Sequence, residues 1–585
     1  MEATVNNTAP TVGCGEQVPV STDHSTREQA ADATYRPDFE PTTRPGTHFH
    51  PLDIPERDLV VKPLPPTPLK LFQLFLPESL VEQWAVSTND PDNAPAATTI
   101  EGTRQSQWTP TSAAEIWIWI GIWIYMISHK EFRFEDFWRP KTAKKHRPAH
   151  PIIKYMSYNR FFLIKRRLRV DDPDTIHVQV PAPYDKVSDW ANVMMAAAMA
   201  AIVVGSNVAV DEGMVKFEGR SDQKVTIKTK PTPTGLKVWL LGIQGYILQW
   251  IWHTPRATFG PVGIEQQFWK DPSLSDEEQA LNPTQGVVYA LVSRLQTKGH
   301  HVFLDNLFSS PHLFRALRSI GQGATGTART NCGLYKRLVE LKQDDRAGRR
   351  LWQWGRIECW PTDDNEVNQI AWKDNALVLM LSTVYKGIET VERLRRRPTT
   401  QQPYSGPIKR KFGPNGQLDL IVPSIAADYN DNMNGVDIGD QLRANIAGNH
   451  HQRRGPARTL TWGFLLSVAL SNSFLLQHLG QPQWKPYKAQ SRFLEALTDE
   501  IFETYNKTGT TRKRYRAGDE FTPLSQHKHV NRGKRSCCLG CQGIQMGPRA
   551  RVTKKQRVLQ QLDENTLNSR PQPSRTAPKT NLGCD

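Results

Sequence analysis

Three short stretches of this 585-residue chain place carboxylates where they can do chemistry. In VAVDEGMVKFEGR (208–220), Asp211 and Glu212 interrupt an apolar run that reads as a buried strand. Asp305 directly follows HVFL, and Asp437 follows MNGV, with Asp440 three residues on. The first two aspartates sit where a strand would end. Asp437 and Asp440 would share one face of a helix that began there. Burying several carboxylates together is costly, because each raises the pKa of its neighbours. Divalent cations offset that repulsion, and an oxygen-only set without His or Cys nearby favours Mg²⁺ or Mn²⁺ over zinc. Two such ions about 3.5–4 Å apart would activate an attacking hydroxyl and stabilise the leaving oxygen of a phosphodiester. Spacing alone leaves three unrelated surface aspartates as an open alternative. Glu212 is expected on the other side of the extended chain, in a supporting or surface role.

The charge balance narrows the partner. The chain has 74 basic against 58 acidic residues, a formal net charge of +16, which suits a polyanion and nucleic acid above all. Arg220, Lys224, Lys228, Lys230 and Lys237 follow the first aspartate, and Arg443, Arg453 and Arg454 follow the last. They are candidates for DNA phosphate contacts, which position a duplex without reading its sequence. For any single one, solvated surface is the alternative. Seven thinly spread cysteines do not make a disulfide framework and point to a reducing compartment. The start, MEATVNNTAP, lacks the basic residues and apolar run of a signal peptide. No membrane partner is expected. Ile116–Ile127 is 12 residues where a span needs about 20, and Leu460–Leu476 carries Ser467, Ser471, Asn472 and Ser473. Both read as buried core.

The elements around the carboxylates follow from periodicity. Residues 1–66, rich in Pro, Thr, Asp and Glu, read as a disordered tail. Two short helices are expected after Leu69, the second from Pro77 and Glu78, then a polar linker over roughly residues 90–110. A buried helix over 116–127 would be capped by Thr111 or Ser112. In MSYNRFFLIKRRLRVDD (156–172), Phe161, Phe162, Ile164 and Leu168 would face inward and Arg160, Lys165, Arg166, Arg167 and Arg169 would form a basic surface. A helix over 188–202 follows from its Ala and Met content. VAVDEGMVKF and LKVWLLGIQGYILQWIWH read as strands, followed by alternating helix and strand through GVVYALVSRLQ, HVFL and Pro311–Ser319. That order predicts an α/β fold with a mixed sheet. From about 335 to 425 the pattern changes to strands joined by charged loops, which reads as an insertion. Leu460 starts a long apolar helix, and an amphipathic helix over 491–506 carries Leu494, Leu497, Ile501 and Tyr505 at helical spacing.

Six motifs together, VAVDEGMVKFEGR, KPTPTGLKVW, VFLDNLFSSPHLF, GTARTN, AWKDNALVLMLST and YNDNMNGVDIGDQLR, resemble piggyBac-type transposases of the DDE superfamily. The resemblance runs in order from about residue 67 to about 510. It implies an α/β fold with a ribonuclease H-like catalytic core, an inserted β-rich domain and flanking, mainly helical DNA-binding and dimerisation segments. It implies Asp211, Asp305 and Asp437 as the metal-binding catalytic triad, with Asp440 as a further acidic position. The activity it implies is Mg²⁺- or Mn²⁺-dependent excision and integration at TTAA targets, by hydrolysis and transesterification of phosphodiesters, with two ions. The implied partners are double-stranded DNA (transposon terminal repeats and the TTAA target) and a second copy of the chain. The implied location is the nucleus.

The domain organisation then reads as follows. A tail covers 1–66, and the first helical part covers 67–205. The catalytic core is split between 206–334 and 426–445 by the insertion at 335–425. A second helical part covers 446–510, and 511–585 is a basic tail with an incomplete cysteine-rich module. In that tail Cys538 and Cys541 have zinc-ligand spacing. Bound zinc and free thiols both remain open there. Asn434 stands where the family commonly has a second glycine before Gly-Val-Asp. A transposase-derived DNA-binding protein without transposition activity is the alternative function.

Overall fold

The structure is a computed structural model that describes residues 49–91, 108–131, 133–139, 150–171, 182–228, 230, 232–255, 281–446 and 457–506, with 529–530 and 537–538. The chain divides into two units, 1–508 and 509–585. In the second, His529–Val530 pairs antiparallel with Cys537–Cys538, which sets His529 opposite Cys538. Residues 1–48 of the tail expected over 1–66, most of the polar linker, and Arg453, Arg454 and Cys541 lie outside the described residues. The rest of that stretch, 49–66, is ordered, contrary to expectation: Val60–Val61 pairs antiparallel with Ile202–Val203, the Arg57 N–H donates to the Ser206 Oγ at 2.6 Å, and Phe49 and Leu64 are buried, so backbone pairing with a distant segment orders a stretch whose composition is polar.

The first unit is built on a nine-stranded mixed sheet. Its strands are β1 (Asn207–Lys216), β2 (Lys224–Thr226), β3 (Thr234–Ile243), β4 (Tyr246–Trp252), β5 (His301–Leu304), β6 (Gly323–Thr327), β7 (Ile357–Pro361), β8 (Asn368–Lys373) and β9 (Leu377–Ser382). Their order is β2-β3-β1-β5-β6-β9-β8-β7, with β4 also on β3. The β1–β5 and β5–β6 pairs are parallel and the rest antiparallel. β4 is buried along its whole length, and β3 from its second residue onward. That explains why both read as continuous apolar runs rather than as an alternating pattern. Residues 335–425, expected as an insertion, contribute β7, β8 and β9 to this same sheet through the β6–β9 pair. They also form a separate two-stranded ribbon, β10 (Thr390–Arg396) and β11 (Gln417–Pro423).

Helices cover the sheet and form a lobe of their own. They include α1 (Pro68–Phe72), α2 (Glu78–Asn89), α3 (Ala113–Ser128), α4 (Tyr158–Arg167), α5 (Ser188–Ala200), α6 (Pro283–Val292), α7 (Pro311–Ser319), α8 (Lys336–Arg346), α9 (Ser424–Asn432), α10 (Gly435–Ile446), α11 (Ala457–Leu479) and α12 (Gln490–Tyr505). The Trp/Ile run forms α3, capped by the Ser112 hydroxyl accepting from the Glu115 N–H. Ten residues of α3 are buried, Gly121 among them. Each large side chain among them stabilises the fold by about 1.5–3 kcal/mol on leaving water. Gly121 is where α3 meets α12, since a Cβ there would lie 2.9 Å from the Phe502 ring. Tyr505 of α12 stacks on Trp117 at 5.1 Å. α11 holds the one stretch, among the described residues, long and apolar enough to cross a membrane, and 89% of that window is buried inside the protein.

Part of the basic surface expected on α4 is used internally. Arg160 pairs with Glu115 and lies over Trp108 at 4.7 Å. Lys165 sits over the Trp123, Phe134 and Phe162 rings, and burial lowers its pKa. Long basic side chains laid along aromatic faces contribute packing as well as charge.

Candidate active site

Sheet register brings the first two aspartates together. β1 and β5 run parallel, and their last paired residues are Val210 and Leu304. Asp211 and Asp305 are therefore the next residues on neighbouring strands, at the point where the pairing stops. Asp305 turns the chain out of β5, its Oδ1 accepting from the Leu307 N–H at 2.7 Å.

The third acidic pair arrives on α10, which is seated by glycines. The Gly245 N–H donates to the Gly435 carbonyl at 2.7 Å. A Cβ on Gly439 would lie 2.6 Å from the Gly245 carbonyl, and a Cβ on Gly435 would lie 3.4 Å from that of Ala209. Gly435 and Gly439, one turn apart, thus let α10 settle on β1 and the β3–β4 turn. Asp440 lies over Gly213, whose own Cβ would come within 3.1 Å of the Asp440 Oδ2. Ala209, Asp211 and Gly213 share one face of β1. Asp437, in the first turn of α10, is not part of the close group formed by Asp211, Glu212 and Asp305, although its charge acts on Tyr429 and Asp440. Asp437 is exposed, and Asp440 is half-buried and paired with Arg443.

Glu212 departs from its expected place. Oxygens of Asp211, Glu212 and Asp305 all lie within 4.8 Å of one another. Among the described residues, the β5 side of β1 has no strand partner beyond Val210. The Glu212 N–H donates to the Asp211 Oδ1 at 2.7 Å, and the Glu212 Oε1 pairs with the Lys230 ammonium at 3.0 Å. Alternation along the strand predicted the opposite, because it fixes the direction of the Cβ and not where the end of a long, flexible side chain comes to lie. The other Glu212 oxygen, Oε2, is buried with no hydrogen-bond partner.

The electrostatics agree with a crowded acidic group. Burial, then the Glu212 and Asp305 carboxylates, pushes Asp211 well above its ordinary value. Burial and Glu212 push Asp305 up to about 6, against the Leu307 N–H and the Arg329 and Lys230 charges. Burial and Asp437 raise Asp440 although Arg443 and Lys230 oppose. Burial alone would lower Lys230, but Glu212, Asp211 and Asp305 carry it upward overall. Tyr429, whose hydroxyl lies 3.3 Å from that of Thr327, is pushed up to about 12 by burial, with Asp305, Asp211 and Asp437 adding to it. Tyr429 and Lys230 therefore both sense the first two aspartates; Tyr429 also senses Asp437, and Lys230 acts on Asp440. Sequence reasoning missed Tyr429 as a site neighbour, and the YND triplet of its motif was the available signal.

A family model described as Transposase IS4 matches residues 67–474. The chain belongs to this transposase family. Within the family it is of piggyBac type. It is 24% identical over 399 residues to the PiggyBac transposable element-derived protein 3 of Homo sapiens, covering 65% of this chain and 57% of that protein. It is also 24% identical over 399 residues to the Chimeric ERCC6-PGBD3 protein of Homo sapiens, of which it covers 32% while 65% of this chain is matched. The chain thus spans little more than half of the first relative's length. In fold it is similar to a piggyBac transposase solved by cryo-EM as a synaptic complex with hairpin DNA, with a TM-score of 0.55, 18% identity, and coverage of 77% of this chain and 83% of that one. Membership of the family implies use of a divalent metal, and the Asp211, Glu212 and Asp305 oxygens form an acidic group of the kind that holds one.

Two of the residues expected to contact phosphate are placed otherwise. Lys237 is buried at 6% exposure, with its ammonium 3.7 Å from the centre of the Trp239 ring. Arg443 is buried at 7% exposure, paired with Asp440 and lying over Phe464 at 4.4 Å. As placed, neither offers its charge to a polymer outside the fold. Arg220, Lys224 and Lys228 are exposed, and Lys230 is half-buried against the acidic group.

Proposed function

We propose that this chain cleaves and joins DNA strands as a piggyBac-type transposase, with Asp211, Asp305 and Asp437 as the metal-holding catalytic residues. The observation that carries this reading is the convergence of carboxylates from two adjacent parallel strands at the point where their pairing stops, beside a glycine-seated acidic helix. The donor set fits a divalent metal. It is all oxygen, its aspartates are raised by burial and then by mutual repulsion, and the Glu212 Oε2 is buried without a donor. Mg²⁺ or Mn²⁺, two ions on the family pattern, would supply charge stabilisation for the attacking and leaving oxygens of a phosphodiester. Glu212 holds Lys230 beside the site, and Arg443 anchors Asp440 so that its carboxylate faces Gly213. The exposed Arg220, Lys224 and Lys228 are offered to the DNA backbone.

The ribonuclease H-like reading of 206–334 with 426–445 is supported by the five strands β4-β3-β1-β5-β6, the first three antiparallel and the last two parallel to β1, with acidic residues midway along β1 and just after β5. On that reading 335–425 is an insertion that lengthens the core sheet. The helical parts, 67–205 and 446–510, bind terminal repeats and pair two copies of the chain on DNA, excising at and inserting into TTAA sites in the nucleus. Zinc on Cys538 and Cys541 is supported by the strand pairing that sets His529 across from Cys538.

The purified protein should nick and join terminal-repeat DNA with Mg²⁺ or Mn²⁺, and Asp305→Ala should bind the same DNA without cutting it. Unchanged cutting by that variant would sink the assignment. Binding by the wild type with no cutting in either metal would establish the DNA-binding alternative instead.

A further inference from the structure

The acidic group already contains a cation. Lys230 lies in the loop between β2 and β3, where the Ile227 N–H donates to the Pro233 carbonyl at 2.7 Å and the Lys230 N–H donates to the Ile227 carbonyl at 3.2 Å. That turn brings the Lys230 ammonium to 3.0 Å from the Glu212 Oε1. The two side chains differ in cover. Glu212 is 8% exposed and Lys230 is 31% exposed, so the carboxylate is enclosed while the lysine keeps one side to solvent. The Lys230 charge also acts on Asp211, Asp305 and Asp440. Other cations near these acids are tied down. Arg443 is buried against Asp440 and Phe464, and Arg329 donates to the Asn306 Oδ1 at 2.7 Å.

The ammonium satisfies the group only in part. Asp211, Glu212 and Asp305, when ionised, set three negative charges against one positive charge, and the two left over are the charge of one divalent ion. Lys230 meets the Glu212 Oε1, while Oε2 stays buried with no hydrogen-bond partner. A buried charged group that is only partly satisfied costs free energy. A divalent ion held by the three carboxylates together would remove that cost, and it would repel an ammonium resting on the same carboxylate. Lysine can yield to such repulsion, because it carries a compact, readily hydrated charge on a flexible stem. Lys224 and Lys228, exposed on the same stretch of chain, are phosphate contacts in the reading above. We propose, resting on that metal-dependent DNA-cutting reading, that Lys230 is an exchangeable counter-cation: it holds the Glu212 carboxylate until a divalent ion takes it, and its ammonium then moves to a phosphate of the bound strand. Metal binding and DNA binding are thereby coupled, each favouring the other.

Amine labelling of the full-length protein with acetic anhydride, read by mass spectrometry, tests the release. In chelator, Lys230 should label more slowly than Lys224 and Lys228. Mn²⁺ should speed Lys230 several-fold and leave the other two unchanged, and bound terminal-repeat duplex should slow it again. In calorimetry, Lys230→Met should bind Mn²⁺ several-fold tighter than wild type, because the competing charge is gone, and Lys230→Gln should behave alike. Mn²⁺ bound by the wild type with Lys230 labelling unchanged overturns the exchange, as does Lys230→Met binding Mn²⁺ no tighter than wild type. Either result makes Lys230 a fixed brace of Glu212. Labelling that stays fast with both Mn²⁺ and duplex bound overturns the transfer to phosphate. Failure of wild type and variants alike to bind Mn²⁺ would instead count against the metal-dependent function, and the exchange would fall with it.

Discussion

Asp305→Asn should make the metal-free protein more stable at neutral pH. Asn keeps the shape and the Oδ1 acceptor for the Leu307 N–H, and it removes only the charge. The folded-state pKa of Asp305 stands at about 6, above the ordinary 3.8. An acid whose pKa is raised by folding holds its proton more tightly in the folded state. Its ionisation therefore costs stability at pH above the folded value, and that cost fades as pH falls toward the unfolded value. A rise from 3.8 to about 6 corresponds to about 3 kcal/mol at pH 7, shrinking to about 1–2 kcal/mol at pH 5. Urea unfolding in chelator at both pH values, wild type against variant, reads the difference. The variant should gain at pH 7 and gain less at pH 5. Added Mg²⁺ should raise the wild-type midpoint and leave the variant nearly unmoved, because a ligand stabilises only the state that binds it. A variant less stable than wild type at pH 7 would refute the reasoning, since it would mean that the Asp305 charge is satisfied by its surroundings rather than stored against its neighbours.

Three further outcomes follow from particular contacts. Glu212→Gln should weaken Mn²⁺ binding several-fold in a calorimetric titration, because it removes charge from the acidic group; unchanged affinity would return Glu212 to a surface role. Gly245→Ala should cost about 1–3 kcal/mol and lower DNA cutting more than DNA binding. Gly245 has φ +89°, and a Cβ there would press within 2.6 Å of Ile438 and tilt α10. Lys373→Met should cost about 3–5 kcal/mol in denaturant unfolding by stranding the buried Asp345 carboxylate, whose partner ammonium lies 2.6 Å away.

Much of the architecture is legible in the sequence because it is local. Ser112 before an apolar run writes the start of α3, and the apolar run of HVFL before Asp305 writes a strand that ends in an acid. The resemblance carried by six motifs named the family, and a family match over 67–474 agrees. In sequence, both Asp211 and Asp305 read as strand-end carboxylates; Asp305 does follow the last residue of β5, but β1 continues through Asp211 to Lys216, because β3 pairs with it beyond the point where β5 ends. What the sequence did not contain was where strand pairing stops. The β1–β5 register ends at Val210 and Leu304, and that single fact sets Asp211 beside Asp305, with a Glu212 oxygen in the same group. Lys237 and Arg443 misled for a related reason. Residue type predicts exposure for a lysine or an arginine, whereas Trp239 further along β3 and Phe464 on α11 supply aromatic faces that hold these two inside. Local pattern fixed which residues could act. The tertiary structure decided which charges meet, because burial and strand register are properties of neighbours that lie far apart along the chain.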